Sequence, residues 1–125
     1  MSKARVLIID DAAAFRSNLR RWLEGAGYEV VGEAEDGAQA LARFRELQPG
    51  LVTLDLVLPG MGGIHVLRHI AEEAPGTPVV VISALEGEKF VTQALEAGAV
   101  DYLVKPLERD RLLLAVDKAL VGSAG

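Results

Sequence analysis

Cysteine is missing from this 125-residue chain, which excludes a disulfide framework and a thiolate metal site. That absence fits a reducing compartment, and a cytoplasmic location is expected. Long hydrophobic runs are missing too. Apolar stretches such as Val79–Ile82 and Leu112–Val116 fall far short of the roughly 20 residues that cross a bilayer, so no membrane association is expected. No basic-then-apolar segment opens the chain, and no secretory signal is expected. Positive charge is in deficit: 13 Lys and Arg stand against 18 Asp and Glu, for a net charge of −5. That balance argues against direct nucleic-acid binding. No linker, internal repeat or low-complexity segment divides the chain. One domain is expected over residues 1–121, with a flexible tail at 122–125.

What is present is an alternation. Half the residues are apolar and a quarter charged, the balance of a globular domain large enough to bury a core. Five short runs read as strands: Arg5–Asp10, Tyr28–Glu33, Leu51–Asp55, Val79–Ser83 and Val100–Lys105. The first, third and fourth are nearly continuous apolar runs, as in strands covered on both faces. Between and after them lie residues with helical spacing, such as Phe15, Leu19, Trp22, Leu23 and Ala26, or Ile64, Leu67, Ile70 and Ala71. Asp36 has the position of a helix N-cap, and Gly25, Gly27 and Gly98 those of left-handed helix ends. Strict alternation implies an α/β fold with a parallel sheet and helices on both faces. The expected architecture is a flavodoxin-like (βα)5 doubly wound sheet of order 2-1-3-4-5.

That order places strands 1, 3, 4 and 5 side by side, and ligands bind at the carboxyl ends of such strands. Those ends carry Asp10 and Asp11, Asp55, Ser83 and Lys105. Adjacent carboxylates repel unless a cation offsets them, and a hard divalent ion such as Mg²⁺ does so through oxygen ligands. The plainer role for Asp10–Asp11 is an N-cap on the first helix. Asp55 ends an apolar run, as a metal ligand and nucleophile toward phosphorus or simply as a loop carboxylate. Ser83 offers a hydroxyl to a phosphoryl oxygen. Lys105 is a compact positive charge suited to phosphate, and a cis bond to Pro106 would aim it into the crevice. Strand 2 ends in Glu33–Glu35 and supplies no site residue in this reading. His65 and His69 share a helix face, but Val66 stands where the zincin motif needs glutamate and no third ligand is evident, so they read as solvated or helix-flank histidines. Arg20 and Arg21 read as a solvated face, and Trp22 as core.

Four stretches resemble the receiver domain of bacterial response regulators, the CheY-like family. They are Val6-Leu7-Ile8-Ile9-Asp10-Asp11, Leu54 to Gly63, Val81-Ile82-Ser83-Ala84, and Ala97 to Pro106. Together they run in order through nearly the whole chain, from about Val6 to Leu120. The resemblance implies that Asp55 is the phospho-acceptor. It implies that Asp10, Asp11, Asp55 and the Val57 backbone carbonyl hold Mg²⁺. Ser83 becomes the switch hydroxyl, Tyr102 the aromatic that turns inward with it, and Lys105 the phosphate-binding lysine. Gly62 departs from the family, which often has aspartate there.

The partners implied are a sensor histidine kinase and a downstream effector that meets the face made by helix 4, strand 5 and helix 5. The expected activity is a switch that catalyses only its own phosphorylation and dephosphorylation, with no turnover of a separate substrate. The rivals are a receiver cut from a DNA-binding transcriptional regulator, a Mg-dependent phosphatase, and a flavin-binding relative, the last opposed by Asp10–Asp11 where a phosphate loop needs hydroxyls and amides. A monomer or weak dimer is expected, with Leu114, Leu107 and Leu113 as a candidate apolar patch.

Overall fold

The computed structural model describes residues 3–124. Its elements alternate without exception: β1 Arg5–Ile9, α1 Ala13–Gly25, β2 Glu29–Ala34, α2 Gly37–Leu47, β3 Leu51–Leu54, α3 Gly63–Glu73, β4 Val79–Ser83, α4 Glu88–Ala97, β5 Asp101–Val104 and α5 Arg109–Ala124. All pairings are parallel, in the order β2-β1-β3-β4-β5. A register shift between Val6 and Leu7 interrupts the β1–β2 pair.

Every residue of β3 and β4 is buried, and all of β1 after Arg5. Their side chains alternate between two apolar layers. Leu7, Ile9, Val52, Leu54, Val79 and Val81 face α2, α3 and α4 in one cluster. Val6, Ile8, Leu51, Val80 and Ile82 meet Leu19, Leu23, Leu112 and Val116 of α1 and α5 in the other. Trp22 packs against this second cluster.

The strand limits differ from the sequence reading at the ends that matter. Asp10, Asp55 and Lys105 each lie one residue beyond a strand, their N–H groups still donating to Ala34, Ile9 and Ser83 carbonyls of the neighbouring strands, while Ser83 is the last residue of β4. Asp36 caps α2, its side chain accepting from Gln39 N–H. Gly98, at φ +119°, closes α4 in the left-handed region that favours glycine. Gly25 does not play that part: it is the last residue of α1, and Gly27 carries the positive φ. Helix α5 continues through Gly122 to Ala124, and Gly125 lies outside the described residues. Leu107 and Leu113 pack against the second cluster, which leaves Leu114 exposed without them.

Among the described residues one buried polar atom has no partner. Thr53 sits mid-strand between Ile8 and Val80, 1% exposed, and its Oγ1 makes no hydrogen bond. A desolvated, unpaired hydroxyl opposes folding. Thr53→Val keeps the branched shape and removes that cost. It should raise unfolding free energy by about 1 kcal/mol, seen as a higher urea midpoint at unchanged slope.

Candidate functional site

Strands β1 and β3 are neighbours, with Ile9 paired to Leu54, so the carboxylates that follow them emerge side by side. Asp10 and Asp55 are 1% and 5% exposed, while Asp11 is open to solvent. Oxygens of all three lie within 4.8 Å of one another. Two short turns fix the buried pair. Asp10 Oδ1 accepts from Ala12 N–H at 2.9 Å, and Asp55 Oδ1 from Val57 N–H at 3.0 Å. The N-cap of α1 is Ala12, without a side-chain cap, so Asp10 and Asp11 do not serve as that cap. Gly63 is required where α3 begins, because a Cβ there would stand 2.4 Å from the Asp55 carbonyl oxygen.

Lys105 follows β5, two strands away from β3. Its side chain reaches across the end of β4, and Nζ lies 2.7 Å from Asp10 Oδ2 and 3.0 Å from Asp55 Oδ2. The Lys105–Pro106 peptide bond is cis. Three clustered carboxylates thus stand against one ammonium. Burial pushes the Asp10 carboxyl above its usual range, against the hydrogen bonds from Lys105 and the Ala12 amide. Lys105 goes up as well: burial lowers it, but bonds to Asp10 and Asp55 outweigh burial. The cluster is short of positive charge, and a hard cation among these oxygens would supply it. The donor set therefore fits Mg²⁺.

Ser83 is fully buried, and its Oγ accepts from Leu85 N–H at 3.3 Å, which leaves the hydroxyl proton to donate. Tyr102 is 9% exposed, and its hydroxyl donates to the Leu85 carbonyl at 2.6 Å. Burial pushes the Tyr102 hydroxyl up, a hydrogen bond with Ser83 opposes this, and the Asp55 charge adds to it. Tyr102 thus lies within electrostatic reach of both Ser83 and Asp55. The ring already occupies the inward position that the sequence reading reserves for the switched state. Val57, on the β3–α3 loop, is 51% exposed.

Four contributors escape the sequence reading. Arg16 Nη1 donates to the Asp10 carbonyl at 2.6 Å, and Arg16 Nε to Glu33 Oε1 at 2.9 Å. Glu33 Oε2 also accepts from Arg20 Nε at 2.8 Å. The end of β2 therefore does serve the site, by holding the arginine that holds the Asp10 backbone, and Arg20 is paired rather than merely solvated. Phe15 supports Lys105, whose Nζ stands 4.1 Å from the ring centre. The only sequence signal is that Glu33 ends a strand and Arg16 and Arg20 share a helix face.

Burial raises the Glu33 carboxyl, but Arg20 and Arg16 outweigh it and hold the group below its usual 4.5. A depressed folded value contributes stability above the unfolded value and loses it as pH falls through the folded one. Wild type should therefore exceed Glu33→Gln in stability at pH 7, and the gap should close as pH falls below 4.5 and through the depressed folded value, measured by urea unfolding across that range.

The geometry defines a class: a doubly wound parallel sheet whose carboxyl edge carries an acidic trio clamped by a lysine. The family model for the response regulator receiver domain matches residues 6–117. The chemotaxis protein CheY of Thermotoga maritima is 41% identical over 114 residues, covering 91% of this chain and 95% of that protein. A two-component response regulator of the LuxR family from Aurantimonas sp. SI85-9A1 superposes with a TM-score of 0.91 at 37% identity, covering 97% of this chain and 87% of that one. CheY in the CheX-CheY-BeF3-Mg complex from Borrelia burgdorferi gives 0.90 at 33% identity, over 94% and 89%. The chain belongs to the response regulator receiver domain family. It is a phosphorylation-regulated signalling switch rather than a metabolic enzyme. Receiver domains are phosphorylated by histidine kinases, interact with effectors, and bind Mg²⁺ at an acidic pocket. Among the described residues no helix is long and apolar enough to cross a membrane.

Proposed function

We propose that Asp55 accepts a phosphoryl group from a sensor histidine kinase and that the resulting change of the α4–β5–α5 face controls a partner protein in chemotaxis or motility. The observation that carries this reading is the position of Lys105 Nζ, 2.7 and 3.0 Å from two buried carboxylates. Asp10, Asp11, Asp55 and the Val57 carbonyl would hold Mg²⁺, which supplies charge neutralisation for the phosphoryl oxygens.

The Asp55 carboxylate attacks phosphorus, an oxygen–phosphorus bond forms, and the nitrogen–phosphorus bond of the donor phosphohistidine breaks. The leaving imidazole keeps the bonding electron pair and takes up a proton. Lys105 shifts its ammonium from the carboxylates to the new phosphoryl oxygens, and Ser83 donates its hydroxyl proton to one of them. Moving toward the phosphoryl group costs Ser83 its bond from Leu85 N–H. Leu85 also holds the Tyr102 hydroxyl, so acceptor chemistry reaches β5 through one loop residue.

Incubation with acetyl phosphate and Mg²⁺ tests the acceptor chemistry. One phosphoryl group per chain should be gained, and EDTA should prevent it; an unchanged mass with Mg²⁺ present would sink the proposal. Loss of directed motility on deletion of the gene supports the chemotaxis output. Normal motility with altered transcription would move the chain to the rival reading, a receiver from a DNA-binding regulator, which the likeness to a LuxR-family protein favours.

The lifetime of the acyl phosphate is set beside it. The Val57 side chain is half exposed two residues from Asp55, and an isopropyl group cannot orient a hydrolytic water. Leu85 is apolar on the other loop. Self-dephosphorylation should be slow, and Val57→Asn should hasten it several-fold, read as phosphate release after donor removal. Equal decay would show that this position does not govern hydrolysis.

A further inference from the structure

Away from the acidic rim, α3 carries two histidines one turn apart. His65 is exposed and His69 half-buried. They are not independently solvated as the sequence suggests. Their Nε2 atoms lie 3.2 Å apart, with ring centres at 4.8 Å and planes at 66°. The helix beneath them is anchored by Val66, Leu67 and Ile70, all fully buried, so the backbone that sets this spacing is rigid.

A nitrogen pair at 3.2 Å has the separation of two ligands on one ion. With metal–nitrogen bonds of about 2.0–2.1 Å it corresponds to a ligand–metal–ligand angle of about 100°, close to tetrahedral. Behind the pair stands a carboxylate. Glu73 Oε2 is 3.8 Å from His69 Nδ1, and two bonds from Arg45, at 2.9 and 2.7 Å, hold Glu73 in place. A carboxylate on the Nδ1 side favours the tautomer that carries its proton there and leaves Nε2 with a free lone pair, the usual outer support of a metal-bound histidine. The opposing arrangement is a tautomer pair in which one Nε2–H donates to the other ring.

We propose that His65 and His69 chelate one divalent transition metal of the zinc type through their Nε2 atoms, with Glu73 as the positioning residue and the remaining coordination positions open to water or an external ligand. The site is separate in chemistry from the acidic rim. Imidazole nitrogens select Zn²⁺, Cu²⁺ or Ni²⁺, whereas the carboxylate trio selects Mg²⁺. It stands independently of the phosphoryl chemistry proposed above.

The test is a Zn²⁺ titration of the full chain against a chromogenic chelator, in excess Mg²⁺ to occupy the acidic rim. Wild type and Asp55→Asn should each bind one Zn²⁺ per chain. His65→Gln and His69→Gln, whose side chains leave the core untouched, should each weaken that binding at least about tenfold. In wild type, the ring resonances of both histidines should shift together at one equivalent. Unchanged affinity in either histidine variant, loss of binding in Asp55→Asn, or no binding by wild type would each overturn the proposal.

Discussion

Asp55→Asn should take up no phosphoryl group from acetyl phosphate under conditions where wild type is modified to one per chain. The substitution preserves shape, and an asparagine oxygen can still accept from Val57 N–H, as Asp55 Oδ1 does at 3.0 Å. What changes is the nucleophile. A carboxylate oxygen offers a full negative charge to phosphorus, whereas an amide oxygen is far weaker. Mass spectrometry before and after donor addition checks the result. Label retained on the variant at the wild-type level would place the acceptor elsewhere and remove the basis of the proposed mechanism.

Lys105→Met should cause the largest loss of stability, and added Mg²⁺ should largely repair it. The ammonium is the cation nearest two carboxylates that are 1% and 5% exposed. Removing one partner of a buried ion pair leaves desolvated charge without compensation, which costs about 3–5 kcal/mol. The Lys105 side chain is 19% exposed, and solvent screening reduces the expected cost to about 2–3 kcal/mol. Methionine keeps most of the stem's volume and loses the ammonium with its contact to the Phe15 ring, so the loss measures charge rather than volume. On the proposed reading Mg²⁺ would bind the folded trio and not the unfolded chain, and so would favour the folded state by mass action. Urea unfolding with and without Mg²⁺ gives the comparison. An unchanged midpoint in metal-free buffer would mean that the lysine does not hold the cluster together. An equal Mg²⁺ gain in both proteins would mean that the metal does not replace it.

Both residues are legible in the sequence, whereas the contacts that surround them are not. Asp55 stands out because it ends Leu51–Leu54, a run with no polar residue except Thr53. An ionised side chain directly after such a run lies at a sheet rim and needs a partner. Lys105 stands out for the same reason after β5, as does Ser83 at the end of β4. Arg16 and Glu33 do not, because charged residues on a helix face and an edge strand look solvated until the pairing of β1 with β2 places Ile8 beside Glu33. Tyr102 is singled out in the sequence only by the family resemblance. That its hydroxyl rests on the Leu85 carbonyl depends on the path of a loop with no periodic signal. The two histidines are visible as a spacing, but their 3.2 Å approach follows from rotamers that spacing does not specify.

Periodicity and strand-end chemistry alone determined the five-strand alternation, the doubly wound order and the charged groups of the rim. These follow from local rules: apolar runs demand burial on both faces, alternation demands crossovers, and crossovers bring strand ends to one edge. Only the tertiary structure decided which charges meet. The reach of Lys105 across β4, the Arg16 clamp on the Asp10 carbonyl and the tie between Tyr102 and Leu85 join residues up to 95 positions apart. Such contacts depend on register, loop path and side-chain rotamer, and no nearest-neighbour preference along the chain encodes them.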